Sequence, residues 1–200
     1  DIAGDAVTGG YLLELDVNYD EVNKFKSPIK GLPFMFKEPD EDVLCEEQYN
    51  YMWHYVGTLE AALYDDVRFM VREYADYIDI DTYIDWWLVH ELAFNGEPNH
   101  PKSTYMHKDR NGKLKAGPVW DFDIAFDNDY RTYPLNNKQE FVCFNGGSVA
   151  GDMGTFVRRI VLQDPKTLTE LQAHWKAGRC NHITADDLCQ WIDSMALAMD

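Results

Sequence analysis

STYMHKDRNGKLKAGPVWDFD, residues Ser103 to Asp123, reads as a β-hairpin that carries two carboxylates, Asp121 and Asp123, just past a Gly-Pro and a Trp. Asn111-Gly112 suits the two positive φ angles of a two-residue type I′ turn, with Tyr105 and Met106 before it and Leu114 and Val119 after it. With those two residues as its central pair, the register places Asp121 near Lys102 and Asp123 near His100. The segment leading into the hairpin, Asn95 to Ser103 (NGEPNHPKS), holds two prolines and a glycine and cannot form a regular helix. It folds back beside the acids and brings Glu97 toward them. Three carboxylates at one point are costly to ionise together unless a cation neutralises them, and hard oxygen donors suit magnesium, manganese or calcium better than zinc. The competing reading of Asp121 and Asp123 is the solvated end of a strand.

The chain has 200 residues, enough for one domain with a substantial core, and no Gly/Ser linker or change of composition divides it. Its 35 acidic and 18 basic side chains leave a formal charge of -17, which opposes binding to nucleic acid or to an anionic membrane surface and favours a basic partner. No apolar run reaches the about 18 residues of a membrane span. The opening DIAGDAVTGG reads as a fragment or a processed form rather than as a start with a signal sequence. Cys45, Cys143, Cys180 and Cys189 lack zinc-ligand spacing and are expected as buried free thiols, with Cys180 and Cys189 the pair to bridge in an exported protein.

Tyr11 to Asp16 looks like a strand entered from Gly9-Gly10, and Asn18 to Pro39 like turns and short strands. From about Asp42 to Tyr64 the apolar positions Tyr49, Met52, Trp53, Val56, Leu59 and Leu63 recur at helical spacing. A shorter helix is expected near Val67 to Tyr77. Asp81 can cap the next, which runs to about Phe94 with Ile84, Trp87, Leu88 and Leu92 on one side. Trp86 and Trp87 invite a stacking role for a sugar or base, but core packing is the expectation, because one of two adjacent aromatics on a helix nearly always faces inward. His90-Glu91 lacks the second histidine of a zinc-protease helix, since position 94 is Phe. Asp127-Asn128-Asp129 does not fit an EF-hand, and the stretch from there to Gly154 reads as irregular. Helices return at Phe156 to Leu162 and Thr167 to Ala177, with Leu168, Leu171 and Trp175 in phase. Thr184 and Asp187 form a capping-box pattern ahead of a last helix with Leu188, Trp191, Ile192 and Met195 on one face.

Taken in order, Gly10-Tyr11-Leu12-Leu13-Glu14-Leu15, the helix that stops before Asn95-Gly96-Glu97, Tyr105-Met106 ahead of Asn111-Gly112-Lys113, and Pro118-Val119-Trp120-Asp121-Phe122-Asp123 resemble the spore-coat CotH family of atypical protein kinases. The likeness runs over most of residues 9 to 195. It implies an α+β, mainly helical fold: a single domain over 1–200 like the C-terminal lobe of a protein kinase, with the phosphate-gripping lobe ahead of Asp1. It also implies transfer of phosphate from ATP to serine or threonine of a protein, with Mg2+ or Mn2+, and a location outside the cytoplasm or at a cell surface. Asp121 would match the family's metal-binding aspartate, with Asp123 completing or orienting the shell. Glu97 stands where the family's N-x-D has its hydroxyl-orienting aspartate, and is one methylene longer; a displacement of that size can cost roughly a hundredfold in rate. Asn95 opens that motif, Ser103 falls where a second metal ligand is usual, and Lys102 would hydrogen-bond an acid or a phosphate oxygen. Alone, such a lobe should bind ATP poorly.

Two other functions compete. One is a non-catalytic descendant acting as a binding or assembly module at a cell or spore surface, favoured by Glu97 and Ser103. The other is a nucleotide-sugar transferase using Asp121-Phe122-Asp123 as a D-x-D motif, although no Gly-rich βαβ pattern accompanies it.

Overall fold

Strand β1 (Tyr11–Leu15) lies at the centre of one antiparallel sheet, with β3 (Pro33–Glu38) and β2 (Lys24–Lys26) on one side and β4 (Thr104–Lys108) and β5 (Leu114–Ala116) on the other. The computed structural model describes residues 4–99, 102–126, 128, 158–181 and 184–199. Leu13 and Leu15 on β1 are buried, as are Phe34 and Phe36 on β3. Over this sheet lies α1 (Glu46–Tyr64), whose Tyr49 and Tyr51 meet the rings of Phe25, Phe36 and Tyr11. Met52, Val56, Leu59 and Leu63 are buried as the helical spacing anticipates, whereas Trp53 stays exposed. The helix starts four residues later than expected. The backbone N–H groups of Val43 and Leu44 donate to the Asp40 carbonyl in a turn, and Gln48 accepts from the Cys45 N–H at 3.1 Å to open the helix there.

The expected helix at Val67 to Tyr77 is two pieces, α2 (Asp66–Met70) and a 3-10 turn at Glu73–Asp76, broken by Arg72 at φ 59°. Helix α3 (Ile80–Leu92) is capped by Asp79, whose carboxylate accepts from Thr82 N, rather than by Asp81. Both Trp86 and Trp87 are buried, because α3 has neighbours on two sides. Of the expected helix at 156–162, Arg158–Leu162 forms a short π-type turn; 156 and 157 lie outside the described residues, as do Cys143 and the irregular stretch apart from Asn128. Helix α4 (Pro165–Asn181) follows, and then α5 (Ala185–Met199). Thr184 and Asp187 exchange the reciprocal bonds of the expected capping box. The apolar face of α5 is exposed, and no described helix is long and apolar enough to cross a membrane. Cys45 and Cys189 are free thiols, Cys189 exposed, so the bridge to Cys180 does not form.

The hairpin departs from the expected register. Met106 pairs with Ala116, where a two-residue turn would set it against Gly117. The connection is a five-residue loop in which Gly112 N donates to Asp109 O at 3.0 Å and only Asn111 takes a left-handed φ, 55°. A tertiary contact decides this. Thr8 Oγ1 accepts from Asn111 N at 2.9 Å, and Gly9 lies so close that a Cβ on it would sit 2.0 Å from the Arg110 nitrogen. After Gly117, at φ 106°, Pro118 offers no N–H and the ladder ends. The acids therefore sit beyond the sheet, and strand register does not place them.

Glu60 on α1 is buried at 1% exposure and accepts from Ser27 Oγ (2.6 Å), Ile29 N (2.8 Å) and Lys30 N (3.3 Å), fastening the β2–β3 loop to the helix. Glu60→Ala strands these donors and should cost about 3 kcal/mol or more. Urea unfolding checks this; an unchanged midpoint would show that the loop does not depend on the carboxylate.

Candidate functional site

The site begins where α3 ends. Asn95 N donates to His90 O at 2.9 Å and Phe94 N to Glu91 O at 3.3 Å, the paired bonds of a Schellman stop, with Phe94 in the left-handed position at φ 54° where glycine is usual. This stop turns Asn95 inward, fully buried. Its amide then joins two segments far apart in sequence: Oδ1 accepts from Glu97 N at 3.0 Å, and Nδ2 donates to the Asp121 carbonyl at 3.0 Å. A short 3-10 turn at Glu97–Asn99 follows, in keeping with the two prolines.

Asp121 takes a left-handed φ of 57°. One carboxylate oxygen lies 3.5 Å from Ser103 Oγ, and the other faces Asp123 N at 3.5 Å. Ser103 is itself left-handed, at φ 45°, and donates its N–H to Asp16 Oδ2 at 3.3 Å. Phe126, at φ 55°, donates its N–H to Ala93 O at 2.6 Å. Phe94, Ser103, Asp121 and Phe126 are thus non-glycine residues in a conformation that costs about 1 kcal/mol or more each, gathered around one point. Such strain persists only where surrounding contacts over-determine it, and it concentrates at working sites.

The structure brings Asn95, Glu97, Ser103 and Asp121 together through these bonds. Glu97 is buried at 7% exposure, with its carbonyl accepting from Lys102 N at 3.1 Å, while Asp121 and Asp123 are exposed. Asn128 Nδ2 donates to the Asp123 carbonyl at 2.7 Å. His100, the expected neighbour of Asp123, lies outside the described residues. Among the described residues no group of three or more His, Cys, Asp or Glu side chains is disposed to hold a metal ion by itself. The expected three-carboxylate cation pocket is therefore not assembled from side chains alone. The donors near Asp121 are carboxylate and hydroxyl oxygens, the type that hard divalent cations prefer, and Asp121 and Ser103 are the residues that could hold one together with ligands from outside the chain.

Two contributors escape sequence reading. Asp16, just past β1 and 6% exposed, accepts from Asn18 N at 2.7 Å as well as from Ser103. Its only local signal is the Asp-x-Asn spacing of a side-chain-closed turn. His90, 2% exposed, stacks on Phe122 (ring centroids 5.0 Å apart) and meets Trp86 at a tilt (4.4 Å). Burial pushes its pKa down to about 4. On β4, Tyr105 meets the exposed Trp120 edge-on at 6.2 Å, and burial followed by the neighbouring Glu14 pushes the Tyr105 hydroxyl up to about 12.

The His90 shift has a stability consequence. The unfolded ring titrates near 6.5 and the folded one near 4, so between these values only the unfolded chain takes the proton. Stability present above pH 6.5 should fall by up to roughly 3 kcal/mol as the pH drops toward 4. His90→Phe should remove that part of the loss in paired denaturant titrations; equal losses in both proteins would contradict it.

A family model described as CotH kinase protein matches residues 8–198. No curated protein and no solved structure matches the chain.

Proposed function

The chain belongs to the CotH kinase protein family, and from that premise we propose that it forms the substrate-orienting, metal-holding part of an atypical protein kinase that transfers phosphate from ATP to serine or threonine of a protein. The observation that carries this reading is the Asn95 amide, which couples the loop of Glu97 to the backbone of Asp121. Phosphoryl transfer asks the protein mainly for positioning and charge stabilisation. The amide holds the two segments that would supply these in one frame.

In this reading Asp121 and Asp123 hold Mg2+ or Mn2+, with the Ser103 hydroxyl beside Asp121. The bound cation would bridge phosphate oxygens and offset their charge. Glu97, fixed through its N–H by Asn95, would accept the hydrogen bond of the substrate hydroxyl and orient it. Lys102, three residues past the end of the 3-10 turn, would meet a phosphate oxygen as a point charge. The formal charge of -17 suits a basic protein substrate. A place outside the cytoplasm, at a spore or cell surface, belongs to the same proposal and rests on the family alone.

A second reading, a non-catalytic binding or assembly module, is favoured by the burial of Glu97 and by the lack, among the described residues, of a three-acid cluster. Sugar transfer through Asp121-Phe122-Asp123 has no comparable support, since the strands of the sheet all pair antiparallel.

Transfer of labelled phosphate from ATP to a protein acceptor, with Mg2+ or Mn2+ and the protein that contains this chain, separates the two. Asp121→Asn and Glu97→Gln should each lower the rate at least about a hundredfold. Transfer at the wild-type rate by Asp121→Asn would sink the kinase reading. No transfer by the wild type, with a protein partner bound equally well by Asp121→Asn, would establish the assembly module.

A further inference from the structure

We propose that His90 is a positioning residue for the Asp121–Asp123 segment and acts through the ring of Phe122. It rests on the kinase reading only for its functional meaning, that the segment so held is the one that faces the metal.

His90 is 2% exposed, and neither ring nitrogen has a hydrogen-bond partner among the described residues. An imidazole kept this way forgoes the bonds water would give it, a cost that leucine or phenylalanine at the same place on α3 would not carry. What the ring provides that an aliphatic side chain cannot is a flat face. Phe122 lies on that face at 5.0 Å with the two planes inclined by 26°, while Trp86 meets the imidazole at a tilt of 52° with centroids 4.4 Å apart.

Phe122 separates the two acids. Asp121 and Asp123 are exposed and Phe122 is half-buried, so this ring is the side chain of the three that reaches inward. Holding its plane limits the rotation of the backbone on either side. That matters at Asp121, where φ is 57° and relaxation to an ordinary negative φ would swing the carboxylate away from Ser103.

The same end of α3 makes two more attachments to this segment. Ala93 O accepts from Phe126 N at 2.6 Å, and Asn95 Nδ2 donates to Asp121 O at 3.0 Å. Residues 90, 93 and 95 therefore clamp 121–126 at three points. The two hydrogen bonds fix backbone position, and the ring contact fixes which side of the segment faces in.

The test compares His90→Phe, which keeps a flat ring, with His90→Leu, which keeps apolar bulk and loses the face. Phe122→Leu breaks the same stack from its other side. The readout is hydrogen exchange of the Asn95 side-chain amide, followed by NMR in the whole chain without nucleotide and set beside the melting temperature. Exchange in His90→Leu and in Phe122→Leu should be roughly three- to tenfold faster than in wild type, the scale of a lost aromatic pair, and His90→Phe should restore it. Wild-type exchange in a folded His90→Leu protein would overturn the proposal. So would equal changes in His90→Leu and His90→Phe, or changes that only follow the melting temperature. If His90→Leu does not fold, Phe122→Leu decides by the same criteria. Because this readout needs no nucleotide, failure of the wild type to transfer phosphate would end the kinase reading while leaving the positioning role to stand or fall by exchange alone.

Discussion

The buried amide of Asn95 is the constraint on which the geometry around Asp121 depends. It satisfies one backbone donor and one backbone acceptor at once, the Glu97 N–H and the Asp121 carbonyl, across 26 residues of sequence. Asparagine suits this task because its side chain carries a donor and an acceptor on one planar group. Aspartate could accept from Glu97 but could not donate to Asp121, and leucine could do neither. In a fully buried position each lost bond leaves a backbone group without a partner.

What puts Asn95 in position is the way α3 stops. The Schellman turn forces Phe94 into a left-handed conformation and returns the chain over the helix end. The sheet contributes from the other direction: just past β1, the Asp16 carboxylate holds Ser103, the residue ahead of β4. Asp121 thus stands between a helix terminus and a strand terminus, each fixed by its own hydrogen bonds. Backbone N–H groups donate to the Asp16 and Asp121 carboxylates here. On the proposed reading, the exposed carboxylates would accept a cation that brings oxygen ligands of its own.

Where local chemistry dominates, the sequence was legible. The helical spacing of Met52, Val56, Leu59 and Leu63, the Thr184–Asp187 cap, and the non-helical Asn95–Ser103 segment follow from side-chain periodicity, side-chain oxygen geometry and proline. The hairpin turn did not follow. Asn111-Gly112 has a strong local preference, but Thr8 and Gly9 bind the loop from outside and shift the register by one residue. Acid placement was half legible for the same reason. The motif resemblance singled out Asn95, Glu97 and Asp121, yet the route by which they meet is a helix stop and a buried amide rather than the hairpin ladder. Asp16 and His90 act across long sequence separations, and the residues around them carry little or no local mark of it. Core packing of the Trp86-Trp87 pair was legible, and that both rings are buried reflects the packing of α3 on two sides.

On the proposed kinase reading, a helix ended by a strained turn, an amide spanning two loops, and an exposed carboxylate beside a hydroxyl together make a site whose metal affinity would depend on phosphate. Titration of Mn2+ with ATP, followed by electron paramagnetic resonance, tests that dependence in the protein that contains this chain. Wild type should hold the ion far more tightly with ATP than without it, and Asn95→Asp, which cannot donate to Asp121, should lose about tenfold or more of the nucleotide-dependent affinity. Equal affinities of wild type and Asn95→Asp for Mn2+ in the presence of ATP would contradict the account.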